Sequence, residues 1–158
     1  MSKLTPPMNS DAQNRDLETC LRNLRSALEG AFRSDTAFRP ASGMAASDAI
    51  PSTGHCAVVA AIVQQKFGGK LIRSMVDGEE HWFNRLEIDT QSFDADLTGD
   101  QFGYEPLQIR PAGSLYPNAT VAEFSDLKPE ALHRAAVLAV RAGLPDLADY
   151  FRANVGKE

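Results

Sequence analysis

Hydrophobic positions recur along this chain with two different periods, and the change from one to the other divides it. Leu17, Cys20, Leu21, Leu24 and Leu28 recur at helical spacing and predict a first helix over residues 11–32, after a loose polar tail at residues 1–10. A second helix is predicted over residues 56–67, apolar on most faces and stopped by Gly68 and Gly69. From residue 70 the period falls to two. Strands are expected at 70–76, 81–88 and 91–98, with Asp-Gly-Glu-Glu as the first turn. The short connection after Glu87 makes the last two an antiparallel hairpin. A less regular stretch, 99–122, has room for one more edge strand around residues 107–109. Two helices close the chain as a hairpin over 125–155. Ser125 or Asp126 is placed to cap the first, Gly143 to end it, and Pro145 to start the second. The order of elements is that of an α+β protein, with residues 11–158 as a single domain.

Residues 33–53 interrupt this pattern with about twenty positions rich in Pro, Ser, Gly and Ala, long for a compact domain and a candidate lid or processing site. Composition narrows the classes of function. A net charge of −5 over 158 residues provides no general attraction for nucleic acid or an anionic membrane. The longest apolar stretch, 57–63, is far short of the roughly 20 residues that a bilayer span needs. With no apolar segment near its start, the chain is expected to be cytoplasmic. Its two cysteines, Cys20 and Cys56, are then expected to stay reduced rather than form a disulfide. Cys20, within the helical pattern, reads as a small buried hydrophobe. Two distant cysteines and three scattered histidines form no metal-ligand spacing, and no cofactor motif is present; His133 reads as a packing or surface residue.

Cys56 stands apart. It follows a Thr-Gly turn and heads an apolar helix, where free N–H groups and the helix dipole favour a thiolate and an oxyanion. A thiol nucleophile also needs a base and a group that orients the base. His81, at the entrance of a strand, is the candidate base. With the hairpin bending near residues 88–89, position 81 falls opposite 96, so Asp96 is expected to accept the Nδ1–H of His81, with Asp94 in reserve one pair away. His55, adjacent to the cysteine, is a candidate oxyanion donor and a competing base. Arg85 shares the His81 face and is a candidate for binding a substrate carboxylate, against the plainer reading of a solvated strand arginine. Trp82 and Asn84 share the opposite face, as candidate substrate and secondary site residues or as packing and backbone-bonding residues.

The blocks FRSDTAFRP, PSTGHCAVVAAIVQQKFGGKLIRS, GEEHWFNRLE and DADLTGDQF together resemble the YunG-like family of small bacterial proteins over residues 31–102. This chain departs from the family pattern in having His55 where the pattern has glutamine. The resemblance implies a papain-like/transglutaminase-like core of the NlpC/P60 type, with Cys56, His81 and Asp96 at the triad positions. The expected function is thiol-dependent hydrolysis or acyl transfer on a peptide, amide or ester. Two alternatives stand beside it. One is a non-catalytic module that binds a protein partner, or a second copy of itself, through the cleft or the C-terminal hairpin; the other is a toxin or effector that modifies other proteins. Residues 127–151 of the hairpin carry apolar positions suited to closing the core or, if exposed, to such a partner.

Overall fold

The computed structural model describes residues 7–38 and 52–155. Helix α1 (Pro7–Glu29) starts four residues ahead of the expected boundary, so residues 7–10 are helix and not tail; residues 1–6 lie outside the described residues. A proline suits the first turn, where an amide has no intrahelical acceptor. The helix ends at Glu29, and the Ala31 and Phe32 amides both turn back onto the Leu28 carbonyl. Leu21, Leu24 and Leu28 form its buried stripe. Cys20 is exposed, contrary to the expectation that it is buried. The inward series is complete without it, and a residue next to Leu21 lies about 100° round the helix.

Helix α2 (Cys56–Phe67) and strand β1 (Lys70–Val76) occupy the spans that the periodicity predicts. Strand β2 (Glu79–Ile88) begins two residues early, because the turn is only Asp77 and Gly78, both with positive φ as a tight hairpin requires. Strand β3 (Gln91–Asp96) follows a second two-residue turn and ends two residues before the expected 98, and β4 (Gln108–Pro111) starts one residue after the expected edge strand and ends two residues after it. A three-residue strand, β5 (Thr120–Ala122), is too short to show a period in the sequence. All pairings are antiparallel, in the order β4-β3-β2-β1-β5.

Alternate residues of β2 serve two cores. Trp82 and Leu86 point to the face covered by α2, α3 (Pro129–Arg141) and α4 (Pro145–Asn154). Phe83 points the other way, joining Ile72, Val76 and Tyr116 in a smaller core beneath the segment that links β3 to β5. Neither Ser125 nor Asp126 caps α3. Lys128 holds the N-cap position ahead of Pro129, and Asp126 instead accepts the Glu123 amide (2.9 Å) in a 3₁₀ turn. Gly143 closes α3 and Pro145 opens α4 as expected, with the Leu144 amide returning to the Ala139 carbonyl at 2.8 Å. The hairpin closes the core with Leu132, Leu138 and Phe151. No helix among the described residues is long and apolar enough to cross a membrane.

The α2–β1 joint holds two glycines of different kinds. At Gly69, with φ +84°, an added Cβ would lie 2.3 Å from the Arg85 carbonyl oxygen of β2, whereas at Gly68 it would meet nothing within 4 Å. Gly68→Ala should cost about 1–3 kcal/mol from backbone strain alone. Gly69→Ala should cost at least about 1 kcal/mol more, because β2 must also shift. Urea unfolding of the two variants measures the difference, and equal costs would mean that β2 does not press on the joint.

Candidate active site

The turn that presents Cys56 is fastened to the residues immediately after β3. Ser52 is buried, and its hydroxyl donates to Asp100 Oδ1 at 2.5 Å. Asp100 Oδ2 accepts from the buried Arg25 guanidinium at 2.7 Å, and Arg25 Nε donates to the Leu97 carbonyl at 2.8 Å. Two residues along, the Gly54 amide donates to Gln101 Oε1 at 3.2 Å, while Gln101 Nε2 donates to the Thr98 carbonyl at 3.0 Å. Helix α1, the pre-cysteine turn and the 96–102 segment therefore hold one another in register. Cys56 emerges from this frame half-buried, its Sγ 3.9 Å from the Glu80 carbonyl oxygen, on the wall of a cleft of about 790 Å³. No side chain caps the N-terminus of α2, which leaves its first N–H groups without a side-chain partner.

His81 is fully buried and Asp96 is 1% exposed. The β2–β3 ladder pairs Arg85 with Asp94 and Asn84 with Ala95, so Asp96 is diagonal to His81 and not directly opposite it, as the expected register had it. The two-residue turn moves the pairing by two positions, which keeps both residues on one face. The side chains meet: His81 Nε2 lies 2.8 Å from Asp96 Oδ2. The ring thus presents Nε2 to the carboxylate, the reverse of the expected Nδ1 contact. Nδ1 is buried with no hydrogen-bond partner. Burial by itself lowers the His81 pKa, but the hydrogen bond to Asp96 and then the neighbouring Cys56 outweigh it and raise the ring to about 10. Phe102 and Tyr116 stand edge-on to the imidazole at 4.9 and 5.2 Å between ring centres.

Asp96 has further donors. Tyr116 donates its hydroxyl to Oδ2, and Thr98 donates its amide (3.0 Å) and its hydroxyl (3.4 Å) to Oδ1. Gln108 Nε2 donates to the Tyr116 oxygen at 3.1 Å. Burial first, and then the Asp96 charge, push the tyrosine pKa far above its ordinary value, so it stays a neutral donor. Gly99 makes room for this cluster, since a Cβ there would lie 2.9 Å from Asp96 Oδ2 and 2.8 Å from Gln108 Nε2. Tyr116, Gln108, Gly99, Gln101 and Asp100 were not among the candidates drawn from the sequence. Four of these five lie in irregular backbone or 3₁₀ turns, which show no period, although residues 99–101 stand inside the DADLTGDQF block.

The remaining candidates fall elsewhere. His55 is 1% exposed, with Nε2 2.7 Å from Thr36 Oγ1, Nδ1 3.2 Å from the Thr53 carbonyl and its ring against Phe32. Burial pulls it down to about 4, so it is a neutral ring fixing the turn, and both nitrogens are occupied away from any carbonyl in the cleft. Arg85 is paired with Asp94 (Nε to Oδ1, 2.7 Å), and Asp94 also accepts the Gly113 amide at 2.8 Å. This pair ties β2, β3 and the turn after β4 together. Asn84 donates to the Ala60 carbonyl of α2 at 2.9 Å. Trp82 packs in the larger core yet reaches the cleft wall, with Arg73 over its ring at 5.2 Å. Residues 39–51, most of the expected lid or processing loop, lie outside the described residues.

A family model described as YunG protein matches residues 20–136, a span that contains Cys56, His81 and Asp96 together. No curated protein and no solved structure matches the chain.

The His81–Asp96 contact makes stability depend on pH. The folded ring keeps its proton to about pH 10, whereas in the unfolded chain it is lost near about pH 6.5. Its contribution is therefore complete below pH 6.5 and is lost as the pH rises toward 10. Urea unfolding across that window should show the decline, at no more than about 1.4 kcal/mol per pH unit. Asp96→Asn should flatten it, and an unchanged slope would show that the carboxylate does not hold the ring. Gly99→Ala should flatten it too, by displacing the Asp96 carboxylate from Nε2.

Proposed function

The chain belongs to the YunG family, and we propose that it is a thiol-dependent hydrolase or acyl transferase on a papain-like/transglutaminase-like core, acting on an amide or ester. The observation that carries this reading is the state of the His81 ring. Nε2 is clamped by a buried carboxylate, and Nδ1 is left without a hydrogen-bond partner near a thiol that opens on a cleft. A buried imidazole–carboxylate pair costs desolvation energy, and its placement beside a thiol on a cleft wall suits acid–base chemistry at that thiol.

In this mechanism Cys56 has already given its proton to His81 Nδ1 before substrate arrives, and the thiolate sulfur of that ion pair attacks the substrate carbonyl carbon to form an S–C bond. The resulting oxyanion meets the backbone N–H of Cys56 at the uncapped end of α2. Collapse breaks the C–N or C–O bond, and Nδ1–H protonates the departing amine or alcohol. Water, or an acceptor amine, then attacks the thioester and gives its proton to Nδ1, the C–S bond breaks to release the acid or the new amide, and the thiolate is restored beside the protonated ring. Asp96 keeps Nε2 protonated throughout, so the ring always turns Nδ1 toward the sulfur.

Alkylation tests the pair without a known substrate. Cys20 is exposed and open to the same reagent, so the experiment belongs in a Cys20→Ser background. Iodoacetamide labelling of Cys56 at pH 6, followed by intact mass, should slow about tenfold or more in His81→Ala. An unchanged rate would make Cys56 an ordinary packing thiol. In a screen of amides and esters, Cys56→Ala should abolish turnover while keeping Tm within about 3 °C of wild type, and surviving turnover would exclude the mechanism.

A further inference from the structure

Among the described residues, two cations on the wall of the cleft beside Cys56 make no ion pair, the exposed Lys128 and the half-buried Arg134. Arg134, on α3, lines the cleft and is half-buried, and its Nε is buried without a hydrogen-bond partner. Among the described residues it makes no ion pair or hydrogen bond. The other arginines of this region are committed. Arg85 holds Asp94, Arg141 holds Asp35, Arg25 holds Asp100, and Arg73 lies between Glu80 and Asp126 at 3.7 and 3.6 Å. Those contacts also partly neutralise Asp35, Glu80 and Asp126, three of the carboxylates on the cleft wall, so the rim is less acidic than its composition suggests. Burial pulls the Arg134 pKa below its ordinary value, and the nearby charges of Glu130 and Cys56 act against that shift.

Its position is set by the same turn that sets the nucleophile. The guanidinium lies over the Phe38 ring at 5.9 Å, and the Phe38 amide donates to the carbonyl of Gly54, two residues before Cys56, at 2.8 Å. A guanidinium resting on an aromatic face keeps its planar fork free at its edge, the arrangement that receives a carboxylate by two parallel hydrogen bonds. An unpaired, half-buried cation is also costly to keep unless something arrives to pair with it. We propose that Arg134 is the anion-recognition residue of the cleft, and that the substrate carries a carboxylate adjacent to the bond that Cys56 attacks. This rests on the reading of Cys56 as the nucleophile. It also moves the carboxylate-binding role from Arg85, which is already paired, to a residue on a different element.

Iodoacetate and iodoacetamide test it, since both transfer a two-carbon unit to sulfur with loss of iodide and differ chiefly in charge. The rates are measured on the full chain carrying Cys20→Ser. In Arg134→Gln the iodoacetate-to-iodoacetamide rate ratio should fall about tenfold, with the iodoacetamide rate within about twofold of its value before the substitution. Arg134→Lys, which keeps the charge and loses the fork, should retain at least half of the ratio, and Arg134→Met replaces the glutamine variant if that one does not fold. An unchanged ratio, or a lysine variant no better than glutamine, overturns the proposal. So does a parallel fall of both rates, which would mean that the guanidinium acts on the sulfur itself. His81→Ala reads the catalytic pair separately: if it slows neither reagent, the thiol mechanism fails, while the Arg134 ratio still reports on anion recognition.

Discussion

A carboxylate removed from water has to be surrounded by donors, and most of this site follows from how Asp96 meets that requirement. His81 and Tyr116 supply one oxygen, and the amide and hydroxyl of Thr98 supply the other. Each donor brings its own constraint. Thr98 must turn the chain immediately after β3, Tyr116 must be delivered from beyond β4, and Gly99 must have no side chain. The irregular segment between β3 and β5 follows the path it does because it has to return to this one buried charge. The same path roofs the second face of the sheet with Phe102, Leu115 and Tyr116, so satisfying the carboxylate and burying apolar surface are accomplished by the same residues.

The segment 96–102 shows how densely the tasks are packed. Asp96 orients the imidazole, Gly99 makes room, Asp100 receives Ser52 and Arg25, Gln101 receives Gly54, and Phe102 borders the His81 ring. With Thr98, which donates to Asp96, six positions within seven residues reach either the histidine cluster or the turn before the cysteine. This explains in physical terms why the block is a compact sequence signature. Its residues are not interchangeable polar positions in a loop, because each has a distinct partner on a different element.

How far the sequence reveals this architecture depends on the kind of feature. Helix α2 and strand β1 are legible to the residue because a change of period and paired glycines mark their limits. The β2–β3 turn lies at residues 89–90, one residue beyond the expected bend, which shifts the pairing by two; the choice of Asp96 holds because a shift of two leaves every side chain on its original face. Cys20 was misplaced because a residue beside an apolar stripe resembles one within it. Which ring nitrogen meets the carboxylate, and that His55 is engaged by Thr36, lie beyond any spacing rule, since they depend on side-chain rotation and on contacts between residues far apart in the chain. Tyr116 and Arg134 had no signal at all. One sits in irregular backbone, and the other occupies an ordinary position of an amphipathic helix, distinguished only by making no ion pair among the described residues.

The sheet separates the two halves of the proposed dyad. Cys56 packs against the larger core on the helix side, whereas His81 is held by the smaller one, and they approach each other only where β2 begins. Two hydrophobic interiors that could otherwise drift apart in sequence thus share a single tolerance, fixed by the reach of a thiol to a ring. A substitution that thickens one layer has to be compensated in the other. Over evolutionary time the two cores should change as correlated sets of residues, although few of their members touch.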